Sequence, residues 1–110
     1  MGQSNVGLLP YSKGQKELLG KFVEVLLELP DIKKVVLFGS YARMEQKAQS
    51  DFDILALTEC AISREKRGEL CSMFEEMGAD LVFYTESQFS HSDCVLVQQI
   101  RRDGILLWQS

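Results

Sequence analysis

Apolar residues fall into short dense runs separated by longer polar and periodic stretches. Three runs, Lys34–Phe38, Asp51–Thr58 and Asp80–Tyr84, are brief and rich in Val, Ile, Leu and Phe, and read as strands. Leu18, Phe22, Val25, Leu26 and Leu29 recur at helical spacing and predict a first helix with that stripe facing inward. Ser12 and Gln15 fit the N-cap and N3 positions of a capping box, and Pro30 follows the last apolar residue. Gly20 weakens this helix by roughly 1 kcal/mol relative to Ala, but the stripe outweighs it. A short helix is predicted from Ser40 to about Lys47, with Gln46–Ser50 as a polar loop.

Ser63 predicts the cap of a helix reaching Met77, with Leu70, Met73, Phe74 and Met77 inward and Gly78 closing it. Ser92 or Asp93 predicts the cap of a last helix with Val95, Leu96, Gln99 and Ile100 inward. Arg101 and Arg102 fall in its final turn, where cations suit the helix dipole, and Gly104 ends it. Ile105–Trp108 adds an edge strand, and Met1–Tyr11, with no sustained period, reads as a flexible tail.

The predicted order is α-β-α-β-α-β-α with a terminal β. Gly39-Ser40 lies at the C-terminal end of the first strand, and Asp51 and Asp53 open the second. These ends meet only if the two strands are antiparallel. The helix from Ser63 to Met77 is long enough for a crossover that makes the third strand parallel to the second. The fold class is α/β: a small mixed sheet with packed helices. The 110 residues, 45% of them hydrophobic, suit one domain spanning 1–110.

The polar residues then supply the chemistry. Side chains two apart on a strand share a face, so Asp51 and Asp53 present paired carboxylates while Phe52 turns away. Such hard oxygen donors suit Mg²⁺ or Mn²⁺. A Gly-Ser step into a helix suits a phosphate, because free N–H groups and the positive end of the helix dipole meet there. Asp80 opens the third strand at the end where Asp51 lies, adding a third carboxylate. The net charge of −4 argues against a broad nucleic-acid groove and for a free nucleotide or a protein as substrate. Cys60, Cys71 and Cys94 have neither disulfide-framework nor zinc spacing. No apolar run approaches the roughly 18 residues of a membrane span, and the expected location is the cytoplasm. His91, in a polar stretch, reads as a surface residue.

Gly39-Ser40-x10-Asp51-x-Asp53 resembles the signature of the DNA polymerase β-like nucleotidyltransferase superfamily. From Lys13 to Trp108 the chain is similar to the minimal nucleotidyltransferases (MNT), the antitoxins of HEPN–MNT toxin–antitoxin pairs. The resemblance implies Asp51 and Asp53 as metal-binding residues, Asp80 as the third catalytic carboxylate, and Gly39 and Ser40 as nucleotide-phosphate contacts. It implies that Arg43 keeps the arginine of a Gly-Ser-x-Ala-Arg-Gly run, within reach of a phosphate oxygen, whereas Met44 stands where that run has glycine. Ser50 is a further nucleotide-binding candidate, with capping of the Asp51 backbone as the alternative.

The implied reaction moves AMP from ATP to a tyrosine hydroxyl of a HEPN ribonuclease toxin, with Mg²⁺ or Mn²⁺ as cofactor. Alternatives are an antitoxin that acts by binding alone, or a transferase for a small molecule such as an aminoglycoside. The apolar faces of the first and last helices are candidate homodimer or toxin interfaces, with a core role as the default.

Overall fold

The computed structural model describes residues 3–47 and 50–110. Its strands are β1 (Gln3–Ser4), β2 (Ile32–Phe38), β3 (Phe52–Thr58), β4 (Ala79–Thr85) and β5 (Ile105–Gln109). Its helices are α1 (Lys13–Leu26), α2 (Gly39–Ala42), α3 (Arg64–Glu76), α4 (Glu86–His91) and α5 (Val95–Asp103), with a 3₁₀ turn at Val6–Leu8. The sheet order is β1-β5-β2-β3-β4. β2 runs antiparallel to β3 and β5, β1 antiparallel to β5, and β4 parallel to β3. The mixed sheet and the α3 crossover match the sequence expectation.

Alternation along the strands divides the core in two. Val35, Leu37, Phe52, Ile54 and Ala56 pack with Leu19, Phe22, Val23 and Leu26 of α1 and with Leu70 and Phe74 of α3. Phe38, Leu55 and Leu57 face the other way and pack with Ile100 of α5, beside Leu96 and the α4 residue Phe89. Phe22 joins α1 to both neighbours, with ring centroids 4.8 Å from Phe74 and 5.9 Å from Phe52. Asp53 lies two residues before Leu55 and therefore belongs to the thinner α4/α5 face.

Local capping explains where the helices begin. The Ser12–Gln15 capping box is complete, and the Ser63 hydroxyl accepts from the Lys66 N–H. α3 ends at Met77 as its C-cap, followed by Gly78 at φ +84. Its inner face is narrower than expected: Leu70 and Phe74 are buried, while Met73 is 43% exposed. In α1 the buried stripe is Leu19, Phe22, Val23 and Leu26, shifted from the predicted one. The adjacent pairs Leu18-Leu19 and Phe22-Val23 make the phase ambiguous in sequence. Leu29 is buried too, but beyond the helix end.

Three further expectations are corrected. The last helix is capped by Cys94 rather than Ser92 or Asp93, because Ser92 is already the C-cap of α4. Ile100 and the partly buried Leu96 face inward as expected and Val97 joins them, whereas Val95 and Gln99 are exposed. β5 is an interior strand, because Gln3 and Ser4 pair with Gln109 and Trp108 on its outer side. The described part of the expected N-terminal tail is packed instead: Val6 and Tyr11 are buried, and the Asn5 N–H donates to Leu107 O at 2.8 Å. Met1 and Gly2 lie outside the described residues.

Candidate active site

At the end of β2 the backbone swings into α2 through Gly39, at φ +76. A Cβ on Gly39 would collide with Asp53 Oδ2, so the bare glycine lets the carboxylate lie against the turn. Phe38 is the register partner of Asp53 on β2, and Asp80 is its partner on β4. Asp53 therefore sits centrally, with the Gly39-Ser40 turn on one side and Asp80 on the other. It is half-buried, while Asp51 and Asp80 are exposed.

Asp51 stands one residue before β3 rather than within it. The strand starts at Phe52, whose N–H donates to Gly78 O at 3.1 Å and whose ring enters the core. Burial raises the Asp53 pKa above its ordinary value of 3.8, and the charges of Asp80 and Asp51 raise it further. Arg43 opposes this from a distance. Its guanidinium Nε is 3.0 Å from Glu45 Oε1, in an exposed pair.

The helix predicted to run to Lys47 stops after one turn. Arg43 is the C-cap and Met44 takes a left-handed φ of +58. That conformation costs a non-glycine residue roughly 1–2 kcal/mol. Part of it returns when glycine's larger unfolded-state freedom is counted. Met44→Gly is therefore expected to raise the unfolding free energy by about 0.5–1 kcal/mol in urea titration; a fall would show that the exposed Met44 side chain contributes more than the strain removes. Ser50 closes the following loop, its hydroxyl accepting from Lys47 N at 2.8 Å and its N–H donating to Lys47 O at 3.0 Å. That geometry is a loop cap. Ala48 and Gln49 lie outside the described residues.

Sequence reasoning missed one support of the turn. The buried Tyr11 hydroxyl donates to Tyr41 O at 2.7 Å, across 30 residues of chain. No periodic or local signal links the two. The Tyr41 ring stacks on Phe52 at 4.1 Å, tying α2 to the start of β3.

The carboxylates offer only oxygen donors, the set a hard divalent cation takes. The ion pairs among the described residues, Lys33–Glu59, Arg43–Glu45 and Arg102–Asp103, neutralise none of them. The mutual repulsion that raises Asp53 is what a cation would relieve. Among the described residues no three acidic, His or Cys side chains are already gathered tightly enough to enclose an ion. The donor chemistry thus fits a cation. A cleft lined by Thr58, Ile62, Arg67, Tyr84 and Thr85 opens at the other end of β3 and β4, away from this chemistry. No helix among the described residues is long and apolar enough to cross a membrane.

The family model described as polymerase beta, nucleotidyltransferase matches residues 20–110. A chain from Methanocaldococcus jannaschii named as a protein adenylyltransferase is 52% identical over 40 residues, covering 36% of this chain and 41% of that one. The chain thus matches about two-fifths of that relative's length. Among solved structures, a chain of a toxin–antitoxin complex with AMP-PNP aligns with a TM-score of 0.60 at 27% identity, over 82% of this chain and 73% of that one. A chain of the Shewanella oneidensis complex between a tri-AMPylated HEPN toxin and an MNT antitoxin aligns with a TM-score of 0.63, over 87% of this chain and 73% of that one. At 24% identity that second likeness speaks for the fold. With a glycine turn set against an aspartate on the neighbouring strand and the match extending over residues 20–110, the chain belongs to the polymerase beta nucleotidyltransferase family.

Proposed function

We propose that the protein is an antitoxin that transfers AMP from ATP to a tyrosine hydroxyl of a HEPN ribonuclease toxin. The observation that carries the reading is the placement of Asp53, in register with Asp80 and pressed against the Gly39 turn. Acceptor chemistry and phosphate binding would thus adjoin. Asp51 and Asp53, with Asp80 as the third carboxylate, would hold Mg²⁺ or Mn²⁺. Bound there, the cation would offset negative charge on the phosphates during displacement.

The chain's own residues supply the rest. N–H groups in the first turn of α2 lack intrahelical partners and suit phosphate oxygens. Ser40, at the start of that turn, would contribute its backbone and hydroxyl. Arg43 would exchange its exposed partner Glu45 for a phosphate oxygen. Asp80, on an exposed edge position of β4, would accept the proton of the tyrosine hydroxyl as its oxygen bonds to the α-phosphorus, the α–β phosphoanhydride bond breaks and pyrophosphate leaves. Tyrosine has an ordinary pKa near 10, so it needs such help at neutral pH. Ser50 would act through the loop it closes, with a direct nucleotide contact as its second role.

Purified protein, ATP, Mg²⁺ and the cognate HEPN protein are expected to give a toxin mass increase of one AMP or more. Asp51→Asn with Asp53→Asn is expected to leave the toxin mass unchanged. Undiminished transfer by that double variant would refute the carboxylate assignment. The left-handed Met44, in the segment after the phosphate turn, favours one second reading: neutralisation by binding alone. Under it, Asp51→Ala with Asp53→Ala would still rescue growth from the toxin.

A further inference from the structure

α2 spans four residues, too few for a helix to hold itself in water. At its C-terminal end Arg43 N bonds to Gly39 O at 3.1 Å, Met44 N to Tyr41 O at 3.2 Å and Glu45 N to Ser40 O at 2.9 Å. The rest of its support is tertiary. Tyr41 is buried, stacked on Phe52 and edge-on to Tyr11, whose ring centroid lies 6.0 Å away. Tyr11 is anchored in turn by the N-terminal segment. Val6 is buried there, and Asn5 bonds to β5 through its N–H to Leu107 O and its side-chain amide to Leu106 O.

Within a helical turn the carbonyls point one way along the axis and the N–H groups the other. A donor fixed on the Tyr41 carbonyl therefore also fixes the direction of the N–H groups at the opposite end of the turn. We propose that Tyr11 is a positioning residue for the nucleotide: its hydroxyl, held on the Tyr41 carbonyl, keeps the Gly39–Ala42 turn oriented to receive the triphosphate. Burial, with Tyr41 beside it, pushes the Tyr11 pKa up, so the hydroxyl remains a donor through neutral pH. The segment before α1 is thus a strap from β5 to the phosphate turn. This inference rests on nucleotide binding at that turn.

Tyr11→Phe removes one oxygen and keeps the ring, so the variant retains the core packing. In the ligand-free protein, amide hydrogen exchange over residues 39–45 is expected to rise in Tyr11→Phe while β3 and β4 stay protected. The dissociation constant for Mg²⁺·AMP-PNP is expected to weaken about fivefold, the loss of one hydrogen bond. KM for ATP should rise in step with kcat little changed, because the bound turn is the same once formed. A purely structural role would lower global stability without this split. Unchanged exchange at 39–45 would overturn the inference, and so would faster exchange with unchanged affinity. Failure of the unsubstituted protein to bind Mg²⁺·AMP-PNP would instead remove the nucleotide-transfer reading beneath it, while the exchange result still reports whether the strap exists.

Discussion

Asp53→Asn is expected to abolish AMP transfer and, at the same time, to stabilise the metal-free protein. The amide keeps the shape of the carboxylate but provides neither the charge nor the bidentate oxygen pair that a divalent cation takes. Cation-mediated charge stabilisation is worth several kcal/mol, so kcat should fall by on the order of a thousandfold. Stability moves the other way because Asp53 is half-buried and repelled by Asp80 and Asp51, which places its folded-state pKa above the ordinary 3.8. Between those two values the folded state binds more protons than the unfolded one. Unfolding free energy therefore declines as pH rises through that window, and the ionised group is a burden at neutral pH. Asparagine carries no such burden.

Thermal melts of the metal-free proteins at pH 7 should show a higher Tm for Asp53→Asn, with the gap closing toward pH 4. Millimolar Mg²⁺ with AMP-PNP should raise the Tm of the unsubstituted protein and leave the variant's unmoved. A variant that melts lower than its parent at every pH would mean that the carboxylate is satisfied structurally and is not held in reserve for a cation.

Gly39→Ala carries the second large effect. The left-handed φ of +76 penalises any side chain there by roughly 1–2 kcal/mol. The added methyl also meets the Asp53 carboxylate, so either the turn or the carboxylate must move. A loss of about 2–4 kcal/mol in urea unfolding is expected, together with near-complete loss of transfer. Gly68→Ala is the control: it lies within α3 with open space around it and should gain roughly 0.5–1 kcal/mol. Because Gly39→Ala spares every acidic group, its inactivity would show that transfer needs the close approach of turn and carboxylate as well as the carboxylates themselves. Retention of full activity would mean that the Asp53–Gly39 contact has no part in transfer.

How much of this was legible in the chain depended on how local the signal was. β2, β3 and β4 announced themselves as dense apolar runs, and the demand that Gly39-Ser40 meet Asp51 and Asp53 fixed β2 and β3 as antiparallel. The length of α3 then made β4 parallel. Those two choices bring Asp80 to the end of the sheet where Asp51 lies, but the register that sets it beside Asp53 is visible only in the structure. What escaped was weakly periodic or nonlocal. α4 is six residues long with Phe89 as its main apolar contact, so its Thr85–Gln88 capping box went unread and the start of α5 was misplaced. The packing of Val6 and Tyr11 depends on β5 and α2, elements far away in the chain, and no window of sequence contains them. Among the candidate site residues, Asp53 and Gly39 are in contact range of one another, Asp80 is adjacent through the ladder, and Arg43 and Ser50 have local partners of their own.

The interior position of β5 has a consequence during synthesis. On the ribosome, the exposed flank of β2 emerges long before the strand that will cover it, since Val35 and Leu37 pair with Trp108 and Ile105. Until Gln109 leaves the exit tunnel the nascent sheet carries an open edge of unpaired backbone N–H and C=O groups, a template for stray strands. Pausing or truncation ahead of Ile105 should therefore yield aggregates or chaperone-bound intermediates, even though every carboxylate and the glycine turn have already been translated.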